Sequence, residues 1–143
     1  MRKPSIWFWI IGVLGLLWNV GGAYDYLMTR TNNADYLSNF PPEMIAYYAN
    51  MPMLMDVMWP VAVWGGVLGW LLVLLRRRWA VPVFIVSLVA MAVNFVWMAT
   101  TGGLALQAEA MGAGAYAFTA LIVAFAVFAV WFSRRERAKG TLR

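Results

Sequence analysis

Four apolar segments, each close to the length needed to cross a membrane, constrain this chain more than any other feature. They run from about 6 to 28, 54 to 75, 80 to 100 and 115 to 132. A helix needs about 20 mainly apolar residues to cross about 30 Å of hydrocarbon. Barrel strands are about half that length and alternate in polarity, and only helices satisfy their own backbone in lipid. The pattern predicts an all-α membrane protein, a single domain over 1–143 that forms a four-helix transmembrane bundle.

The composition supports this prediction. Of the 143 residues, 64% are hydrophobic and 12% are charged, whereas soluble domains average roughly 45–50% and about 25%. A domain this small cannot bury so much apolar surface away from water. We therefore expect the lipid bilayer to be the main partner of the chain.

Basic residues lie almost entirely on one side of the predicted spans. Ten of the eleven precede the first span, fill the turn Arg76–Arg78 or follow the fourth span, and only Arg30 lies on the other side. The first side carries a net charge of +9 and the second a net charge of −4. The positive-inside rule predicts a multi-pass protein with cytoplasmic N- and C-termini. The basic charge suits anionic lipid, so no nucleic-acid partner is expected.

The first outer loop, 29–53, is long enough to have structure of its own. Proline and an acid suit the first turn of a helix, as Pro42 and Glu43 do. Apolar and aromatic residues then follow at helical spacing: Met44, Tyr47, Tyr48 and Met51. We expect a short amphipathic helix from Pro41 to Asn50 on the outer interface. A second outer loop covers roughly 102–114.

Two sets of small residues indicate helix packing. Gly65 and Gly69 have the GxxxG spacing that lets helices approach closely. The fourth span presents a small face of four alanines: Ala113, Ala117, Ala120 and Ala124. We expect both sets to pack within the bundle, with a homo-oligomer as the alternative use of the same faces.

The few polar residues of the spans lie in their outer half, together with several tryptophans. They predict a pocket roofed by the first outer loop and formed by six residues: Asn19, Asp25, Asp56, Trp64, Asn94 and Trp97. Amides and tryptophan faces suit a small neutral solute such as a sugar. The alternative is that Asn19 and Asn94 hydrogen-bond between helices while the acids face the outer water.

A methionine cluster offers a third interpretation. Four methionines follow one another at the start of the second span: Met51, Met53, Met55 and Met58. Thioethers bind soft Cu(I), so the cluster raises Cu(I) handling as a minor alternative, although methionine is also ordinary packing material.

The chain contains no His and no Cys. It therefore lacks imidazole and thiolate ligands and the usual catalytic bases and nucleophiles. Its serines have no His partner. We expect a protein that is not an enzyme and that carries no cofactor.

Several short motifs resemble a known group of proteins. They are Leu17-Trp18-Asn19, Asp25-Tyr26, Ala62-Val63-Trp64-Gly65-Gly66 and Arg78-Trp79-Ala80-Val81-Pro82. In these the chain resembles small four-helix inner-membrane proteins of proteobacteria that are often labelled "sugar transporter". The resemblance implies a bacterial inner (cytoplasmic) membrane location and favours transport. The competing hypothesis is a non-catalytic accessory subunit of a larger membrane complex.

Overall fold

The structure is a computed structural model that describes residues 3–143. Arg2, one of the basic residues counted above, lies outside this range. Within it the chain forms seven helices and no strand: α1 (Ile6–Arg30), α2 (Ala34–Leu37), α3 (Pro42–Ala49), α4 (Met53–Leu74), α5 (Ala80–Thr101), α6 (Gly103–Met111) and α7 (Gly114–Ala138).

The four long helices α1, α4, α5 and α7 correspond to the four predicted spans. Each is long and apolar enough to cross a membrane, and their outward faces expose large hydrophobic side chains. The predicted all-α, four-span architecture is confirmed, and the protein is an integral membrane protein. The last span is longer than predicted, because α7 continues past Phe132 to Ala138 through a basic segment.

The long helices pack in the order α1, α4, α5, α7. The short turn at 75–79 makes α4 and α5 an antiparallel pair, and α4 also packs along α1 while α5 packs against α7. We call the end of the bundle with this turn the basic end. The opposite end, which carries α2, α3 and α6, is the loop end.

Glycines bring α4 into close contact with both of its neighbours. A β-carbon added at Gly65 would meet the Ser87 side chain at 2.9 Å, and one at Gly69 would overlap the Phe84 ring. On the opposite side, a β-carbon at Gly66 would overlap Asn19 of α1. The expected close helix approach at Gly65 and Gly69 is therefore confirmed.

The alanine face of α7 does not pack within the bundle. All four of its members are exposed: Ala113, Ala117, Ala120 and Ala124. The prediction of internal packing is wrong for this face, because α7 buries a different set of residues, which includes Ala115, Ala129 and Phe132.

The final residues fold back over the basic end. The backbone N–H of Arg143 donates to the carbonyl of Arg76 at 2.8 Å, and the N–H of Arg78 donates to the carbonyl of Arg143 at 2.9 Å. Leu142 is only 4% exposed and joins the main apolar cluster with Phe8, Trp70 and others. The chain thus covers the ends of its own helices at this side.

The loop end contains the short helices. The amphipathic helix predicted over 41–50 is present as α3, with Pro41 at its N-cap and Glu43 in its first turn. The second outer loop is not irregular, because α6 fills it between Gly102 and Gly112. Both glycines have a positive φ, 84° and 80°. Glycine adopts this conformation without steric strain, so each of the two can end the helix that precedes it.

Gly15 tests how tightly α1 and α4 are packed. A β-carbon at Gly15 would overlap the buried Trp70 ring, whereas one at Gly21 meets nothing within 4 Å. We expect Gly15→Ala to destabilise the protein by about 1–3 kcal/mol through overpacking. Gly21→Ala, on the same helix, should be neutral or slightly stabilising because alanine favours helix. Thermal unfolding in detergent compares the two variants, and equal stability would contradict the close α1–α4 contact.

Candidate solute-binding cavity

A cavity of about 940 Å³ lies between the four long helices and beneath α2 and α3. This volume is near the upper end of the roughly 300–1,000 Å³ usual for ligand pockets. On α4 its lining extends from Trp59 to Trp70, which is about 16 Å of helix at about 1.5 Å per residue. The cavity therefore reaches from the loop end to well inside the span.

The cavity exists because aromatic side chains, rather than glycines, mediate the contact between α1 and α7. The Trp18 ring of α1 lies 6.0 Å from that of Phe118 and 5.5 Å from that of Phe125. Towards the basic end, Phe8 stacks on Phe132 at 6.0 Å. These ring pairs form a seam between two helices whose backbones stay apart, and the cavity lies behind it.

The half of the cavity nearer the basic end is mainly apolar. Trp70 is fully buried, with its ring 5.2 Å from that of Phe84 and 5.8 Å from that of Phe125. Its Nε1 has no hydrogen-bond acceptor among residues 3–143. An indole N–H buried in this way usually finds a partner, so Trp70 leaves one donor unused at the deep end.

Two amides line the cavity, Asn94 nearer the loop end and Asn19 deeper, against Gly66 of α4. Asn19 donates to the carbonyl of Gly15 at 3.0 Å and Asn94 donates to that of Ala90 at 2.9 Å. Each of these bonds stays within its own helix, so the alternative in which the two amides join neighbouring helices is wrong. A side-chain amide has two N–H donors and one acceptor oxygen. Each of these two amides uses one donor in the bond to its own helix.

Each charged group at the mouth of the cavity contacts another side chain, as an ion pair or through a hydrogen bond. The Tyr36 hydroxyl of α2 donates to Asp25 Oδ1 of α1 at 2.5 Å. Arg30 Nη2 lies 3.0 Å from Asp56 Oδ1, an ion pair without the angle of a hydrogen bond. Asp25 and Asp56 therefore contact protein groups, and not only the water at the loop end.

Aromatic rings form a continuous path across the mouth. Successive ring centroids lie 4.7–5.7 Å apart from α1 through α4 and α3 to α5, in the order Tyr26, Trp59, Tyr48, Tyr47, Trp97. Such contacts add to the area that the rings bury. They hold α3 over the cavity as a roof.

Hydrogen bonds connect the same roof to α5 and α6. The Tyr47 and Thr101 hydroxyls lie 2.6 Å apart, and Gln107 Nε2 donates to the Tyr48 hydroxyl at 3.1 Å. Burial raises the pKa of Tyr48 to about 12, although the hydrogen bond from Gln107 acts the other way. Burial and the hydrogen bond to Asp25 likewise raise the pKa of Tyr36.

The structure brings four of the six predicted pocket residues to one cavity. Asn19, Asp25, Asn94 and Trp97 line it, whereas Asp56 and Trp64 are not among the lining residues. Trp64 is instead 42% exposed on the outside of α4.

Four other lining residues were not predicted from the sequence: Tyr36, Tyr48, Gln107 and Thr119. Two of them lie on the first outer loop, whose length and aromatic content were the available signal. Gln107 belongs to α6, whose run of helix-favouring residues was not used. The sequence gives no signal for Thr119, because it lies within an otherwise apolar span.

The four methionines of the proposed copper cluster lie in different surroundings. Met55 is 3% exposed and Met51 9% exposed, while Met53 is 83% exposed. Met58, on α4, is half-buried. Among residues 3–143 no group of three or more His, Cys, Asp or Glu could hold a metal ion.

Comparisons of the chain with family models, with curated proteins and with solved structures find no match.

Tyr48 gives a pH-dependent test of the roof. Because its pKa is raised in the folded protein, neutral Tyr48 contributes stability that is complete below pH about 10, the usual value, and lost as pH rises through about 12. Tyr48→Phe should remove phenolate absorbance from the step near pH 12. An absorbance loss near pH 10 instead would mean that Tyr48 is not buried against α6.

Proposed function

We propose that this chain is a multi-pass inner-membrane protein that binds a neutral molecule in its cavity and transports it from the outer side. The supporting observation is the combination, in one cavity, of amide groups at Asn19 and Asn94 that have unused hydrogen-bonding capacity with a mouth whose cation, Arg30, is already paired with Asp56. An anionic ligand would find Arg30 occupied, whereas a neutral hydrogen-bonding group would find partners. A sugar is the example that the sequence resemblance suggests.

Binding to the chain in lipid nanodiscs tests this proposal. The probes are glucose, indole and 1-monooleoylglycerol, each paired with a charged analogue: gluconate, indole acetate and oleate. At least one neutral probe should bind. Asn94→Ala should raise its Kd about tenfold, the effect of one lost hydrogen bond of about 1–1.5 kcal/mol.

Asn50→Ala is the matched control. Its amide also donates to a carbonyl of its own helix, at 2.8 Å, but Asn50 does not line the cavity. Its removal should leave the Kd unchanged. Binding of charged probes alone, or of none, would refute the proposal, and uptake of the bound probe into proteoliposomes then tests transport itself.

One observation favours the second candidate, an accessory subunit of a larger complex or a homo-oligomer. The exposed alanine face of α7 is of the kind that lets another helix approach closely in lipid. Mild-detergent purification distinguishes the two functions. Recovery of a fixed larger partner, together with no uptake by the chain alone, would favour the accessory subunit.

The orientation is tested by single cysteines, which the Cys-free chain makes simple to interpret. Ser38 lies in the predicted outer loop and Ala138 at the basic end, and both are exposed. We expect Ser38→Cys to react with a membrane-impermeant maleimide in spheroplasts and Ala138→Cys to react only after lysis. The reverse pattern would contradict the positive-inside prediction.

A further inference from the structure

We propose that the molecule bound in the cavity is a neutral amphiphile taken from the lipid, with its polar head near Asn94 and its apolar part towards Trp70. This inference rests on the proposed function, since it assumes that the cavity binds a neutral molecule, and it specifies the chemical class of that molecule.

The polarity of the cavity lining changes along the bundle. Near the loop end the cavity offers the amide of Asn94, the amide of Gln107 and the hydroxyl of Thr119. Further in, the lining consists mainly of Trp70, Phe84 and neighbouring apolar residues, and the polar groups there are the Asn19 amide and the Trp70 indole N–H. A molecule that fills both parts needs a hydrogen-bonding end and an apolar end, because buried polar groups without partners are costly.

The length of the cavity argues against a simple sugar as its occupant. A sugar carries hydroxyl groups on all sides, and in the apolar half more of them would lose their water than the Trp70 indole N–H and the Asn19 amide could bind. The lining spans about 16 Å of α4 at about 1.5 Å per residue, more than a single sugar ring needs. An acyl or isoprenoid-like chain fits the apolar half without that cost.

The charges at the mouth argue against an anionic head. Asp25 accepts a hydrogen bond from the neutral Tyr36 hydroxyl, and Arg30 is paired with Asp56. A carboxylate head would have to displace Asp56 from Arg30 to gain a counter-ion. A hydroxyl, ester or amide head requires no such exchange.

The seam between α1 and α7 gives the lipid side of the cavity. Several residues line the cavity and are also exposed: Leu17 and Trp18 on α1, and Phe118 on α7. Gly21 and Gly22 also line it, and a β-carbon there would meet nothing within 4 Å. The α4 and α5 walls are buried at Gly66, Trp70 and Phe84. A molecule dissolved in the bilayer can therefore reach the cavity most directly between α1 and α7.

Matched alanine substitutions on α7 test the inference. Ala126 lines the cavity near its apolar half, whereas Ala124 is exposed and does not line it. Native mass spectrometry of the wild-type chain should retain one 1-monooleoylglycerol, in preference to oleate. Ala126→Phe should weaken this binding at least about tenfold by occupying the space of the chain, while Ala124→Phe should not change it.

A second variant tests the same inference independently, in case Ala126→Phe does not fold. Asn94→Leu removes the head contacts and leaves the apolar half open, so it should weaken binding of 1-monooleoylglycerol while circular dichroism stays unchanged. Equal retention of oleate and 1-monooleoylglycerol by the wild-type chain would overturn the neutral head.

The outcomes separate the two proposals. Binding of glucose that Asn94→Leu abolishes and Ala126→Phe leaves unchanged would overturn the amphiphile and keep the proposed function. Binding of no neutral probe, or binding that none of the cavity variants affects, would overturn both.

Discussion

The contact of α4 with α1 and α5, made close by glycines on two of its faces, sets the position of the other elements. Gly65 and Gly69 admit α5, while Gly66 receives Asn19 of α1. In lipid there is little hydrophobic force between helices, so close packing of this kind is the main source of association. Three of the four spans thus form one tightly packed layer. The fourth span has no comparable glycine contact with α1.

The cavity is the consequence of that difference. The rings of Trp18, Phe118 and Phe125 are large, and they keep α1 and α7 apart where glycines would have brought them together. At the basic end the gap is closed by Phe8, Phe132 and the returning tail. At the loop end it is roofed by α3. The glycines of α4 therefore stabilise the bundle, whereas the aromatic residues between α1 and α7 leave space for the cavity.

Much of the fold could be predicted from sequence because it depends on local properties. Hydropathy and length define the spans, and Pro41, Pro42 and Glu43 define the start of α3. The helix α6 could also have been predicted from the sequence, since Gly103–Met111 is rich in alanine and leucine and is flanked by glycines. The tail could not be predicted, because its burial depends on a turn more than 60 residues earlier in the chain.

The cavity residues were predicted only in part, for a geometric reason. Trp59 and Trp70 of α4 are about three turns apart on one face, but Trp64 lies about 140° from Trp59 at about 100° per residue. Helical spacing alone could have separated Trp64 from the other two. It could not show which face of α4 meets the cavity, because that depends on how α7 is held away from α1. The lining of a cavity between helices is a property of their arrangement.

The close contact between Gly66 and Asn19 has a further consequence for the volume of the cavity. The Asn19 amide lies flat against α4 only because position 66 has no side chain. Any larger residue there would displace the Asn19 amide, and because Gly66 and Asn19 both line the cavity, the interior would shrink. The residue at position 66 therefore helps to set the volume of the cavity.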